Sequence, residues 1–132
     1  MSEFEQDYIM RQIKNLAGAL AKLLFHKQSP SYTVTSEEHR TDADKLYLEL
    51  GALLDEGRVN DAENLLFERM DPACPEILEV AIDFYDRIDG WEDETLESFS
   101  YSRAEIREGL LSALRFYHVP MEQIVAYFPQ EN

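Results

Sequence analysis

Apolar residues recur at helical spacing along almost the whole chain, and this period constrains the fold more than any other feature. The clearest stripe repeats at 4-3-4-3 spacing and consists of Ile9, Ile13, Leu16, Leu20 and Leu23. Only five Gly and five Pro occur in 132 residues, which disfavours a loop-rich all-β protein. The sequence therefore predicts an all-α protein, with a single domain at 1–132.

Interruptions of the period divide the chain into five or six antiparallel helices. We expect a long amphipathic helix at 4–27 and then a connection at 28–40, where no clear apolar period occurs. An acidic helical body is expected at 41–128, and its last, short helix begins after Pro120. This architecture is a set of helical hairpins to which a long N-terminal helix is added.

Local signals place several helix ends and crossings. Thr41 and Ser102 are each followed three residues later by an acidic residue, as in a capping box. Gly57 is expected to end the second helix in the left-handed conformation. Three further glycines lie inside predicted helices, at Gly18, Gly51 and Gly109. Each costs roughly 1 kcal/mol relative to Ala, so we expect close helix crossings there.

Charge divides the chain into two parts. Residues 1–28 carry four basic and three acidic residues, a net +1, whereas residues 29–132 carry eight basic and 24 acidic residues, a net −16. Such an acidic body is expected to be repelled by nucleic acid and by anionic membranes. No apolar run reaches the ~18 residues of a membrane span, and the acidic first residues do not resemble a secretory signal. With Cys74 as the single cysteine, we expect a reducing, cytoplasmic location.

The segment 46–72 is similar to a tetratricopeptide helix–turn–helix. A glycine turn at Gly57 is followed by an apolar residue, a small alanine and a large apolar residue, namely Val59, Ala62 and Leu66. Gly51 is one position away from the small residue of that consensus, and no second copy follows. We therefore expect one tetratricopeptide-like pair, and the first and fifth helices should cover it.

Three motifs follow one another along most of the chain. They are Phe4-x-x-Asp7-Tyr8-Ile9-Met10-Arg11-x-Ile13, Gly57-Arg58-Val59-Asn60-Asp61-Ala62-Glu63-Asn64-Leu65-Leu66-Phe67 and Phe99-Ser100-Tyr101-Ser102-Arg103-Ala104-Glu105-Ile106. In this order they resemble a bacterial family of small all-helical proteins of unknown function. The resemblance implies a bacterial, cytoplasmic, helical protein, and it supplies no activity.

Residue patterns typical of metal sites and catalysis are weak. The three histidines lack the Glu-x-x-His spacing of helical di-iron sites. One predicted helix face carries four carboxylates, Glu76, Glu79, Asp83 and Asp86, for which we expect a solvated surface, with a weak divalent-cation site as the alternative. The run 86–94 has some similarity to a calcium loop, but Ile88 stands where an oxygen ligand is required.

Cys74 is expected to be structural, and no motif for nucleophilic catalysis or phosphate binding occurs. We therefore expect no catalytic, cofactor or metal residues, and predict that the protein is not an enzyme.

The remaining interpretation is an interaction module. The first helix has a wider apolar arc than one neighbouring helix covers, so part of it should face the core and part a protein partner or a second copy. The predicted interaction residues are those of the stripe: Ile9, Ile13, Leu16, Leu20 and Leu23. A monomer in which this helix is the central core helix is the competing outcome. A second functional hypothesis is a small-ligand or divalent-metal-binding regulator that uses the acidic loop 86–94.

Overall fold

A computed structural model describes residues 3–35, 38–120 and 122, and all regular structure in these residues is helical. Its helices are, in chain order, α1 (Glu3–Phe25), α2 (Asp42–Asp55), α3 (Val59–Arg69), α4 (Glu76–Asp89), α5 (Asp93–Ser98) and α6 (Arg103–Phe116). The all-α prediction is confirmed. The short helix predicted after Pro120 falls on residues outside the described ranges, apart from Glu122.

Helix α4 lies at the centre of the bundle. Helices α1, α2 and α6 all pack against it, and α3 packs on α2. Its inward residues include the four that the apolar period predicts: Ile77, Ala81, Phe84 and Ile88. Other helices cover α4 on several sides, so α4 is the central helix of the bundle. The sequence alone also allows the first helix to take this position, as one alternative.

Helices α2 and α3 form a hairpin with a tight turn. Gly57 adopts φ of 73°, in the left-handed region, and the Arg58 N–H donates to the Leu53 carbonyl at 2.9 Å. The ring of Phe99 lies directly over this glycine, so that a Cβ there would be 2.5 Å from a ring carbon. The turn thus needs glycine both for its backbone conformation and for its packing.

The connection between α1 and α2 is fastened to one buried carboxylate. Asp44 forms the predicted capping box with Thr41, whose N–H donates to Asp44 Oδ2 at 3.0 Å. The hydroxyls of Tyr32 and Thr35 also donate to Asp44, at 2.7 and 2.6 Å. These hydrogen bonds hold the pKa of Asp44 well below its ordinary value. Residues 32–35 of the connection are therefore fixed against the start of α2.

The helix-interior glycines have different surroundings. At Gly109 a Cβ would lie 2.5 Å from Cζ of Tyr85, so α6 and α4 approach closely there, as predicted. At Gly51 a Cβ would make ordinary contact with Arg87, 3.5 Å away. At Gly18 no described atom outside the local helix lies within 4 Å of such a Cβ. The predicted close crossing is therefore wrong at Gly18.

Candidate interaction surface

The apolar stripe of α1 faces the core. Ile9, Ile13, Leu16 and Leu20 are at most 6% exposed, whereas Leu23 is 55% exposed. Both α4 and α6 pack on α1, so two helices cover an arc that is too wide for one. A partner could reach only Leu23 among the predicted interaction residues without displacing α1.

The acidic face of α4 is the seam that holds α1. Lys14 Nζ donates to Asp86 Oδ1 at 3.0 Å and also to the Asp86 carbonyl. Near the other end of the seam, Lys27 forms an ion pair with Glu79. Lys14 lies in the middle of α1 and Lys27 two residues after its end, so these ion pairs fix the C-terminal half of α1 antiparallel to α4.

The other two carboxylates of this face are also engaged. The Tyr32 N–H donates to Asp83 Oδ2 at 2.7 Å, and burial raises the pKa of Asp83. Glu76, at the start of α4, accepts from the Cys74 thiol at 3.2 Å. Burial, together with this hydrogen bond, raises the pKa of Cys74, which disfavours the reactive thiolate.

The two oppositely charged parts of the sequence form ion pairs with each other within the molecule. Two of the four cations in residues 1–28 pair with the acidic body, and the other two, Arg11 and Lys22, form no salt bridge with any described residue. Both are exposed on α1, on the side away from the core. The cations that remain for a partner therefore lie on one face.

We call this side of α1 the outward face, defined by residues at 4-3-4-3-4 spacing: Phe4, Tyr8, Arg11, Asn15, Gly18 and Lys22. Leu23 lies on its flank. Among the described large hydrophobic side chains, Phe4 (77%) and Leu23 (55%) are the most exposed. Around Gly18 the surface forms a shallow depression that is also lined by Asn15, Ala19 and Lys22.

The predicted acidic loop 86–94 consists of the end of α4, a short connection at 90–92 and the start of α5, so only 90–92 is a loop. An arginine from α6 holds this segment. The guanidinium of Arg103 is 2% exposed and donates to the carbonyls of Asp89 and Trp91, both at 2.5 Å. It also donates to Oδ1 of Asp89 at 3.3 Å and to Oδ1 of Asp93 at 3.1 Å. Two of the five carboxylates in 86–94, those of Asp89 and Asp93, are therefore already bound to Arg103.

Asp89 is the most unusual group of this loop. Its side chain is fully buried, and its Oδ2 atom has no hydrogen-bond partner among the described residues. Burial raises its pKa to about 7, although Arg103 acts in the opposite direction. No group of three or more His, Cys, Asp or Glu side chains in the described ranges is arranged to hold a metal ion.

A second buried polar cluster joins α3, α4 and the start of α6. The hydroxyls of Tyr85 and Tyr101 both donate to Oε2 of Glu63, at 2.5 and 2.7 Å. Gly109 lies against this cluster and leaves room for it. The sequence pattern did not reveal the cluster, because its two tyrosines lie 22 and 38 residues from Glu63 along the chain.

The sequence of the chain matches a known protein family. A family model described as "Family of unknown function (DUF6483)" matches residues 3–118. The chain belongs to this family. The match includes all six helices, so the outward face and the Arg103 network are within the DUF6483 region. No curated protein and no solved structure matches the chain.

None of the described helices combines the length and the apolar character needed to cross a membrane.

Proposed function

We propose that this DUF6483 protein is a non-enzymatic helical module that binds protein partners, including itself, through the outward face of α1. The observation that carries the proposal is the position of the two most exposed large hydrophobic side chains, Phe4 and Leu23, on this helix. Exposed apolar groups, beside cations that form no salt bridge with any described residue, are typical of surfaces that become buried on binding.

The way in which α1 is held supports the proposal. Its inner stripe is buried, and Lys14 and Lys27 fasten it to α4. The outward face is therefore presented on a rigid helix, which lowers the entropy lost on binding. A surface with Arg11 and Lys22 also approaches another acidic protein, or this one, with less repulsion than the rest of the body.

Two finer features belong to the same proposal. The α2–α3 hairpin, with Gly57 in its turn, is tetratricopeptide-like and packs on the central helix α4 through α2. The protein works in the bacterial cytoplasm, which is consistent with its single, partly buried cysteine.

The alternative function, a small-ligand or metal-binding regulator, depends on the loop 86–94. Its Asp89 and Asp93 already bind Arg103, so a cation would have to displace a buried guanidinium. Calorimetric titration with calcium, manganese and zinc tests this alternative. Micromolar, stoichiometric heat that is lost in Asp89→Asn/Asp93→Asn would favour the regulator over the interaction module.

Affinity capture from a bacterial lysate tests the proposal itself. The bait is the full chain, either unchanged, as Phe4→Ser/Leu23→Ser, or as the control Leu48→Ser/Phe116→Ser. The control residues are also exposed, at 39% and 37%, but lie on α2 and α6.

We expect a stoichiometric companion, another protein or a second copy of the chain, that the α1 variant loses and the control keeps. A companion that the control loses and the α1 variant keeps would contradict the proposal.

A further inference from the structure

We propose that the outward face of α1 binds the same face of a second copy, with the two helices antiparallel and Tyr8 of each copy seated in the Gly18 depression of the other. This inference rests on the proposed function, because it names the partner of that surface. It depends on three features of the outward face: a depression at Gly18, the exposed aromatic side chain of Tyr8, and opposite charges towards the two ends of the helix.

The depression has no explanation within a single described chain. Glycine in the middle of a helix is unfavourable, and Gly18 makes no close crossing that would require it. Between Asn15 and Lys22 the helix surface is therefore low and open. A second helix could approach closely at this point, as helices do over small residues.

The spacing along the outward face brings complementary groups together. If Tyr8 enters the depression at Gly18, an antiparallel arrangement has its two-fold axis near position 13. Phe4 then lies opposite Lys22 and Leu23, and its exposed ring gains an apolar neighbour and a cation. Both ends of the contact are equivalent by symmetry, so the Tyr8 and Phe4 contacts each occur twice.

Charge selects the antiparallel orientation. Glu3 and Asp7 are acidic at the N-terminal end of the face, and Lys22 is basic at the other end. Two antiparallel copies place Asp7 of one helix within one turn of Lys22 of the other and Arg11 opposite Asn15, whereas parallel copies place Asp7 and Lys22 beside their own equivalents. The dipoles of the two helices also favour the antiparallel arrangement.

The contact involves one helix per copy, so we expect association in the weak range of small interfaces. Sedimentation equilibrium of the purified chain from about 10 to about 300 μM should show the mean mass rising from 15.4 kDa toward twice that value. Gly18→Leu fills the depression with a good helix former, so it should abolish association without unfolding the monomer.

A charge exchange tests the orientation. Asp7→Lys and Lys22→Glu should each raise the dissociation constant about tenfold, because each creates two like-charged pairs in a dimer. The double variant Asp7→Lys/Lys22→Glu, and an equal mixture of the two single variants, should recover wild-type association. Lys45→Glu, an equal charge change on α2, should have little effect on association.

The outcomes separate this inference from the proposed function. A monomer throughout the concentration range overturns self-association, while the proposed function stands if capture still depends on the outward face. Weakened single variants without recovery in the double variant overturn the antiparallel orientation. Association that is insensitive to Gly18→Leu and Lys22→Glu, together with capture that is insensitive to Phe4→Ser/Leu23→Ser, overturns both.

Discussion

The glycines inside the helices offer the sharpest test of the tertiary structure. The same substitution to Ala in three helices has the same local benefit, roughly 1 kcal/mol of helix propensity. At Gly18 nothing in the described structure opposes the added methyl group. We therefore expect Gly18→Ala to raise the free energy of unfolding by about 1 kcal/mol, and Gly51→Ala by roughly 0.5–1 kcal/mol.

At Gly109 the expected sign is reversed. The added Cβ would lie 2.5 Å from Cζ of Tyr85 and 2.6 Å from Oε2 of Glu63. Tyr85 is fully buried and hydrogen-bonded to Glu63, so it cannot move away freely. Overpacking costs about 1–3 kcal/mol, and a lost hydrogen bond to a charged group about 1.5–3 kcal/mol. After subtraction of the helix propensity, we expect Gly109→Ala to lower stability by about 1.5–5 kcal/mol.

Urea unfolding followed by far-UV circular dichroism measures all three variants. Low-micromolar protein keeps self-association from contributing to the unfolding free energy. A double-mutant cycle adds a control: Gly109→Ala should cost less in a Tyr85→Phe background, because the hydroxyl that it meets is absent. A wild-type stability for Gly109→Ala, or a destabilised Gly18→Ala, would refute the packing described for these positions.

Three further predictions concern groups away from the outward face. Arg103→Met should lower the free energy of unfolding in urea by about 3–5 kcal/mol, because it leaves Asp89 buried without its cation, whereas Arg87→Met on the surface should cost under about 1 kcal/mol. Because hydrogen bonds lower the pKa of Asp44, its stabilisation is complete above about pH 4 and is lost at lower pH. The stability difference between wild type and Asp44→Asn should therefore narrow as thermal unfolding is measured from about pH 5 to about pH 2. Cys74→Ser should change stability little, and the native thiol should react with iodoacetamide more slowly than a free peptide thiol at neutral pH.

Local patterns in the sequence were sufficient for the secondary structure. A 3.6-residue apolar period depends only on side chains within one helix, so it predicted the inward faces of α4 and most of the other helices. The Thr41 capping box and the Gly57 turn were also predictable, because their hydrogen bonds join residues a few positions apart.

These local patterns could not predict which residues of different helices contact each other. An apolar stripe indicates that Ile13 or Leu16 becomes buried, but not whether its own chain or a second one covers it. Likewise, the sequence predicts that the acidic face of α4 is solvated, whereas in the structure α1 packs against it. Lys14 and Asp86 are 72 residues apart, and only the packing of α1 on α4 brings them to 3.0 Å.

The sequence by itself determined an all-α fold, the approximate helix bounds and the uneven distribution of charge. The tertiary structure decided which side of α1 is available to a partner, and why Gly109 is required while Gly18 is not required within one chain. The physical reason is that helix formation depends on near neighbours in the chain. Burial and charge pairing instead depend on distances between helices, which only their three-dimensional arrangement fixes.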